Sequence, residues 1–244
     1  MSTEIVSWQD KLAAFAQEAA AVQKVSAGTA LTFKSGQMKI GGQAVAGNKL
    51  SVIVLGSIFE NALYEGDYDS DNPRSPTCFA FGTSEDDMAP HASITKPKHD
   101  SCHGCHNNEW GSAEKGRGKA CKNIQRLAIV PATPLTLDSI NNGEVAYAKL
   151  PVTSNKNYGN YVLTLASIHK RPPFAVITEI GTQSDDKTQF KVTFRHAGNV
   201  EDPEIGAALY ARSLASYNLL AVPYTANSEK DEEAPKKPAS KKKF

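Results

Sequence analysis

The spacing of apolar residues divides the chain into helical and extended segments. Between residues 4 and 24, apolar side chains recur every three or four positions, which places them on one face of a helix. The residues of this face are Ile5, Trp8, Leu12, Phe15, Ala19 and Val22. The pattern predicts an N-terminal helix, within residues 1–25, that packs on the core.

Runs of β-branched residues and turn residues predict strands further along the chain. Residues 30–46 indicate two strands around a Ser-Gly turn, and the β-branched run 49–59 is typical of a buried strand. Further strands are predicted at 126–131, 174–181 and 188–196, the last two joined by a turn at 183–186.

Two more helices are predicted from the same three- and four-residue spacing. Residues 155–168 place tyrosine and aliphatic side chains on one side, and Pro172 and Pro173 end that helix. Residues 203–220 form the second helix, with Pro203 near its first turn. Helices flanking a mostly antiparallel β core define an α+β fold.

Regular periodicity is lost between Leu63 and Lys122, where Gly, Pro, Asp, Asn, Cys and His dominate. A structureless loop of this length is uncommon in a compact domain, so we expect a metal to order it. We place this insertion at about 63–125, within a core domain of residues 26–227. Composition predicts a disordered charged tail over residues 228–244.

The overall composition says more about the cellular environment of the protein than about its function. A chain of 244 residues can bury a core without disulfides, and a net charge of +1 leaves attraction to acidic polymers to local patches. The sequence shows neither a membrane-spanning apolar run nor the basic start and apolar stretch of a secretory signal. These features predict a cytoplasmic protein with reduced cysteines and no membrane partner.

All four cysteines lie in the insertion, with the spacing of a structural zinc site. Cys102 and Cys105 form a C-x-x-C knuckle, and Cys121 follows after 15 residues, within the range for a second arm. Cys78 completes a set of thiolates that would fix the insertion at its start, middle and end. We therefore predict a structural Zn²⁺ held by all four cysteines.

The residues leave two other interpretations of the cysteines open. A nearby histidine can replace one cysteine ligand, and the candidates are His91, His99, His103 and His106. Residues 102–106 also match C-x-x-C-H, the signature of covalent haem attachment. That attachment occurs outside the cytoplasm and would leave Cys78 and Cys121 without a role.

Positive charge is concentrated around the last cysteine. Residues 114–126 contain a single acid, Glu114, and five basic residues, which are Lys115, Arg117, Lys119, Lys122 and Arg126. Because glycines separate these bases, a loop fixed by a metal would present them to phosphate groups. The alternative is a solvated charged loop.

Aromatic side chains in or beside the insertion offer surfaces on which single-stranded bases stack. They are Tyr64, Tyr68, Phe79, Phe81 and Trp110. The rings can equally pack around the zinc knuckle. We favour Trp110 and Tyr68 as exposed stacking residues, with Tyr64 as a third candidate.

The chain carries no recognisable catalytic motif, which favours a non-enzymatic role. Asp67, Asp69 and Asp71 alternate in a pattern that can coordinate a hard cation, but the later Gly and Glu of a calcium loop are missing. An acidic turn is the favoured interpretation. A metal-dependent nuclease built on these aspartates is the enzymatic alternative.

Three strings of residues share a pattern with a known family. They run from Tyr68 to Cys78 (Y-D-x-D-N-P-x-x-P-x-C), from Cys102 to Ser112 (C-x-x-C-x-x-N-x-W-G-S) and from Gly116 to Lys122 (G-x-G-K-A-C-K). The pattern resembles tailed-phage single-stranded-DNA-binding proteins over about residues 50–200. The resemblance implies an OB-like β-barrel with a zinc-binding insertion, a role in phage replication or recombination, and location in the host cytoplasm.

The C-terminal tail departs from what that resemblance implies. Acids at 229–233 and the terminal Phe244 suit recruitment of replication or recombination proteins, but Lys241, Lys242 and Lys243 precede the phenylalanine. The tail then recruits another partner, touches nucleic acid, or only improves solubility. The chain as a whole is predicted to bind single-stranded DNA with little sequence preference. A zinc-stabilised protein-interaction or transcription accessory module is the alternative.

Overall fold

A computed structural model describes residues 29–66 and 74–224, which form one curled sheet with helices on both faces. The predicted N-terminal helix, Tyr68, the aspartate cluster and the charged tail lie outside these residues. The strands are β1 Ala30–Lys34, β2 Gln37–Ile40, β3 Gln43–Ala44, β4 Lys49–Leu63, β5 Cys78–Gly82, β6 Lys122–Pro131, β7 Ala146–Leu150, β8 Val176–Asp185 and β9 Gln189–Asn199. The α-helices are α1 Leu137–Asn142, α2 Asn155–Thr164 and α3 Pro203–Leu220.

The strands are joined in the order β3-β2-β1-β7-β6-β4-β8-β9, and β5 pairs with the end of β4. All pairs are antiparallel except β1 with β7. The sheet curls until the β1–β2 turn meets β8, where Thr182 Oγ1 donates to the Gly36 carbonyl at 2.6 Å. Within the described residues the result is an open half-barrel with β3 and β9 at its edges.

Alternation along β4 explains why both faces of the sheet are covered. Val52 and Val54 point to one face, where they pack with Tyr158, Tyr161 and other residues of the first core cluster. Ile53 and Leu55 point to the other face, where they belong to a second core cluster that includes residues of α1 and α3. Because side chains alternate with a period of two, a strand apolar at every position is buried from both sides.

Helix α3 lies close against β4 because small residues meet there. A Cβ on Gly56 would stand 2.1 Å from Ser216 Oγ, so a larger residue at position 56 would push the helix away. The helix begins at Pro203, and the Asp202 carboxylate caps it by accepting from the amides of Glu204 and Ile205.

The α+β prediction is confirmed, and most predicted elements are present. The helix at 203–220 has the predicted bounds, and the one at 155–168 consists of α2 followed by a π-helical turn, Leu165–His169. Sequence reasoning missed β3, β5, α1 and β7 and placed the β8–β9 turn too early. Strand β6 begins at Lys122, so the insertion ends before residue 125. None of the described helices is long and apolar enough to cross a membrane.

Candidate functional site

The register of three strands brings two distant cysteines to one end of the sheet. Strand β4 pairs with β5 on one side and with β6 on the other, so Leu63 stands opposite Cys78 and Ala62 stands opposite Lys122. Cys121 directly precedes Lys122. The first and last cysteines of the insertion are therefore held on either side of the end of β4.

The C-x-x-C knuckle is tied to the same end of the sheet by backbone hydrogen bonds. The Cys102 amide donates to the Met88 carbonyl at 2.8 Å, and the Cys121 amide donates to Asn107 at 2.8 Å. Gly104 turns the knuckle with a φ of +75°, a conformation that glycine adopts without strain. The first bond ties the knuckle to the segment that follows β5, and the second ties the residue before β6 to the segment that follows the knuckle.

The four cysteines line a single cavity of about 20 Å³, room for roughly one water-sized sphere. None of them is in a disulfide. Of the four candidate histidines, His99 lines the same cavity, while its Nδ1 contacts the Ser101 carbonyl oxygen at 2.8 Å. Within the described residues, no three metal-ligating side chains already stand at the spacing of a metal site. The four thiols thus share a cavity, but no three of them stand at the separation of metal ligands.

The electrostatics of this cavity disfavour thiolates that lack a counterion. Burial raises the pKa of the Cys121 thiol to about 12, and the charges of Cys102, Cys78 and Cys105 raise it further against an opposing effect of Lys119. Burial also raises the pKa of Cys102, although a hydrogen bond with Asn61 opposes this. A divalent cation reverses such shifts, since a coordinating thiol is deprotonated outright.

An asparagine network joins this cavity to the sheet. Asn108 Nδ2 donates to the Cys102 carbonyl at 3.0 Å, while its Oδ1 accepts from Asn123 Nδ2 at 2.9 Å. Asn123 also donates to Asn61 on β4. Neither the knuckle nor the end of β4 can shift without breaking these bonds.

The basic segment forms a folded loop rather than an extended one. The amides of Gly111 and Ala113 both donate to the Gly118 carbonyl, at 3.0 and 3.1 Å, and the Ala120 amide donates to Ser112 Oγ at 2.9 Å. These bonds hold together residues 110–122, which we call the phosphate-contact loop after the role predicted for its basic residues.

Most of the basic residues that were predicted to contact phosphate are exposed to solvent on this loop. Lys115, Arg117 and Lys122 are exposed, and Lys119 is half-buried. Lys119 Nζ donates to Asn108 Oδ1 at 3.3 Å, which links it to the network beside the cysteines.

Trp110, the first residue of the phosphate-contact loop, is 79% exposed. Its ring centre lies 6.0 Å from Lys119 Nζ, at the outer limit of a cation–π contact. An indole left this open buries little apolar surface. A flat aromatic face next to a positive charge is therefore available to a ligand.

Arg126 differs from the other predicted phosphate ligands because it forms an ion pair with Glu60. The Glu60 side chain is fully buried, and the Arg126 side chain is 12% exposed. Arg126 Nη1 also donates to the carbonyls of Leu220 and Val222, at 3.0 and 3.1 Å. Burial lowers the pKa of Arg126, but the hydrogen bond and charge of Glu60 outweigh it and raise that pKa. Arg126 therefore anchors the end of α3, and its phosphate role stays a prediction.

The other predicted aromatic residues within the described part of the chain lie in a cluster around Tyr224. Phe79 is buried and Phe81 is half-buried, with the Arg126 guanidinium 4.4 Å from the Phe81 ring centre. Tyr64 is 40% exposed, and its hydroxyl lies 3.5 Å from that of Tyr224. Phe79 and Phe81 are packing residues here, whereas Trp110 is open to solvent.

Sequence reasoning missed Glu60, Asn61 and Asn123, and it interpreted Arg126 as a phosphate ligand rather than as the ion-pair partner of Glu60. Asn61, Asn108, Asn123 and the Glu60–Arg126 pair stand in different parts of the chain, and only the pairing of β4 with β6 brings them together. The one available signal was Glu60, a charged residue directly after the apolar run that ends at Phe59, since a charge that becomes buried needs a partner.

Comparison with protein-family models, curated proteins and solved structures finds no match to this chain.

Proposed function

We propose that this protein binds single-stranded DNA through the phosphate-contact loop, which a structural zinc ion holds in place. The observation that carries the proposal is Trp110, 79% exposed on a hydrogen-bonded loop with Lys119 beside its ring. A base can stack on the indole while its phosphate meets the lysine. Such stacking requires an unpaired base, so single strands are favoured over duplex.

The chemistry of the donor set supports zinc. Four unpaired thiols line one small cavity, and four-thiolate sites are a common form of structural zinc. Cys78, Cys102, Cys105 and Cys121 would hold the ion, with His99 as the alternative ligand. Bound zinc would supply the positive charge that lets these buried thiols ionise. The haem alternative is less supported, because it employs only Cys102 and Cys105.

The arrangement of charge supports contact with a polyanion. The net charge is only +1, yet Arg117, Lys119 and Lys122 cluster within a few residues of the exposed indole. Positive charge on an ordered loop favours phosphate binding whatever the base sequence, so we expect little sequence preference.

The curled antiparallel sheet supports the OB-like interpretation of the fold. OB-folds are partly open β-barrels that bind oligonucleotides, and the insertion joins this sheet at one end of β4. We propose a binding protein of phage replication or recombination without a catalytic step. Zinc here would be structural.

A fluorescence titration of the Trp8→Phe variant tests this function. The chain has two tryptophans, so this change leaves Trp110 as the sole reporter. Addition of an oligothymidylate at low salt should quench Trp110 emission, and added salt should reverse the quenching. Duplex and single-stranded RNA competitors measure the preference for single-stranded DNA.

Two outcomes contradict the proposal. If no single-stranded oligonucleotide binds at low salt to zinc-loaded protein, the chain is not a single-strand binder. If binding occurs without any change in Trp110 emission, the interface lies elsewhere. A protein-interaction module gives the first result and instead captures a protein partner.

A further inference from the structure

The outward face of helix α3 is apolar and uncharged over several turns. Tyr210, Leu214 and Tyr217 are 53%, 67% and 41% exposed, and Ala207 and Ala211 are exposed between them. These residues follow three- and four-residue spacing, so they form one continuous stripe. We call this stripe the outer α3 face.

The single charged residue between Ile205 and Leu220 does not interrupt that stripe. Arg212 is half-buried, and its guanidinium donates to the Ile140 carbonyl and, at 3.0 Å, to the Gly143 carbonyl. The opposite side of the helix packs on the sheet through Ile205 and Leu209. Because the inner side of α3 is already packed on the sheet, the outer α3 face is an additional exposed apolar patch of the kind that marks an interaction surface.

The chain enters the described structure next to this helix. The Thr29 amide donates to Glu144 Oε1 at 2.9 Å, and the Thr29 carbonyl accepts from the Tyr147 amide at 2.9 Å. Gly143, the neighbour of Glu144, accepts from Arg212 of α3. Residues 1–28 therefore join the described structure at Thr29, close in space to the segment that contacts Arg212 of α3.

The N-terminal sequence carries a stripe that matches the outer α3 face. From Ile5 to Val22 the apolar positions have helical spacing, and they include Trp8 and Phe15. A helix over these 18 residues would be about 27 Å long, the same length as the 18-residue α3. Residues 23–28 provide a connection that can span up to about 20 Å.

We propose that residues 5–22 dock as an amphipathic helix on the outer α3 face of the same chain. The docked stripe would bring Trp8 and Phe15 against Tyr210, Leu214 and Tyr217. Burial of both stripes would remove apolar surface from water on each helix and stabilise α3 on the sheet. This docking does not require the protein to bind DNA.

Trp8 fluorescence in the Trp110→Phe variant tests the docking, because that change leaves Trp8 as the only indole. We expect blue-shifted Trp8 emission and protection from acrylamide. Leu214→Asp in this background should shift the emission to longer wavelength and increase quenching. Leu163→Asp on α2 is the matched control, because Leu163 is 68% exposed and Leu214 is 67% exposed. Far-UV circular dichroism confirms that each variant is folded.

Sedimentation at several protein concentrations identifies the occupant of the face. Docking within one chain is supported if the protein is a monomer, Trp8 is protected from acrylamide in the parent, and Leu214→Asp removes that protection. Fully solvated Trp8 in the parent, or Trp8 unaffected by Leu214→Asp in folded protein, overturns the proposal. Protection that develops only as a dimer forms also overturns it, since the outer α3 face would then be covered by a second copy.

Discussion

Lys119 Nζ lies 6.0 Å from the centre of the Trp110 ring and donates a hydrogen bond to Asn108 Oδ1 at 3.3 Å. Asn108 in turn bonds to the Cys102 carbonyl, so one chain of contacts links the exposed indole to the cysteine cavity. The proposed base contact, phosphate contact and metal site therefore form one unit. Changes to any of the three are expected to affect single-strand binding.

Trp110→Ala should weaken binding of single-stranded DNA by about 5- to 150-fold, which corresponds to the loss of roughly 1–3 kcal/mol of base stacking. Fluorescence anisotropy with a labelled oligonucleotide measures the change. Trp110→Phe keeps an aromatic face and should retain most of the affinity. Equal affinity of Trp110→Ala and the parent would show that the indole does not contact bases.

Lys119→Gln should reduce the salt dependence of binding. Removal of one phosphate contact lowers the slope of log K against log salt by about 0.7 for a single strand. Anisotropy titrations across a salt series give that slope. Lys187→Gln is the control, because Lys187 is exposed in the β8–β9 turn, at the end of β4 away from the insertion. The assignment fails if both variants change the slope alike.

Purified protein should contain one zinc ion per chain, measured by elemental analysis. Cys121→Ser should lose the zinc and lower the Tm, because the ion stabilises the insertion directly. Chelation of the parent should lower its Tm by a similar amount and weaken DNA binding. Iron in the preparation, or a zinc content unaffected by Cys121→Ser, would contradict the site.

Arg126→Met should destabilise the fold by about 3–5 kcal/mol, because it leaves the buried Glu60 carboxylate without its cationic partner and with only the Tyr224 hydroxyl as a donor among the described residues. Urea denaturation measures the loss. The double variant Glu60→Leu/Arg126→Met should recover much of it, since neither charge then remains buried. Additive effects of the two changes would show that the pair is not coupled.

The ionised Asp185 carboxylate should stabilise the folded protein, and protonation in acid should remove that stabilisation. Its carboxylate accepts from Lys191 Nζ at 2.6 Å and from Thr188 Oγ1 at 2.7 Å, and these bonds lower its pKa from 3.8 to about 2. Because the pKa is lowered in the folded state, the stabilisation is present above about pH 4 and is lost as the pH falls through about 2.

The Tm difference between the parent and Asp185→Asn should therefore shrink as the pH falls from about 4 to about 2. Thermal melts at several pH values follow this difference. Asp186→Asn, at the exposed neighbouring position, is the matched control for removal of one carboxylate from this turn. A constant difference for Asp185→Asn would mean that its carboxylate is not responsible.

The elements that sequence reasoning missed are short or depend on a partner strand. Helix α1 has six residues, too few to display a helical repeat. Strand β7 reads Ala-Tyr-Ala-Lys-Leu and is defined by its pairing with β6 and β1. In contrast, α3 shows a cap, a proline at its first turn and 18 residues of local pattern, so its bounds were predictable.

Sequence alone determined the α+β class, the buried strand β4, helix α3 and the choice of cysteines as candidate ligands, because local spacing and residue chemistry carry these features. Only the tertiary structure decided that Cys78 and Cys121 flank the end of β4 and that Trp110 is open while Phe79 is buried. It likewise decided that Arg126 is paired with Glu60 rather than left as an open cation. These relationships join residues far apart in the chain, and strand register and packing bring them together.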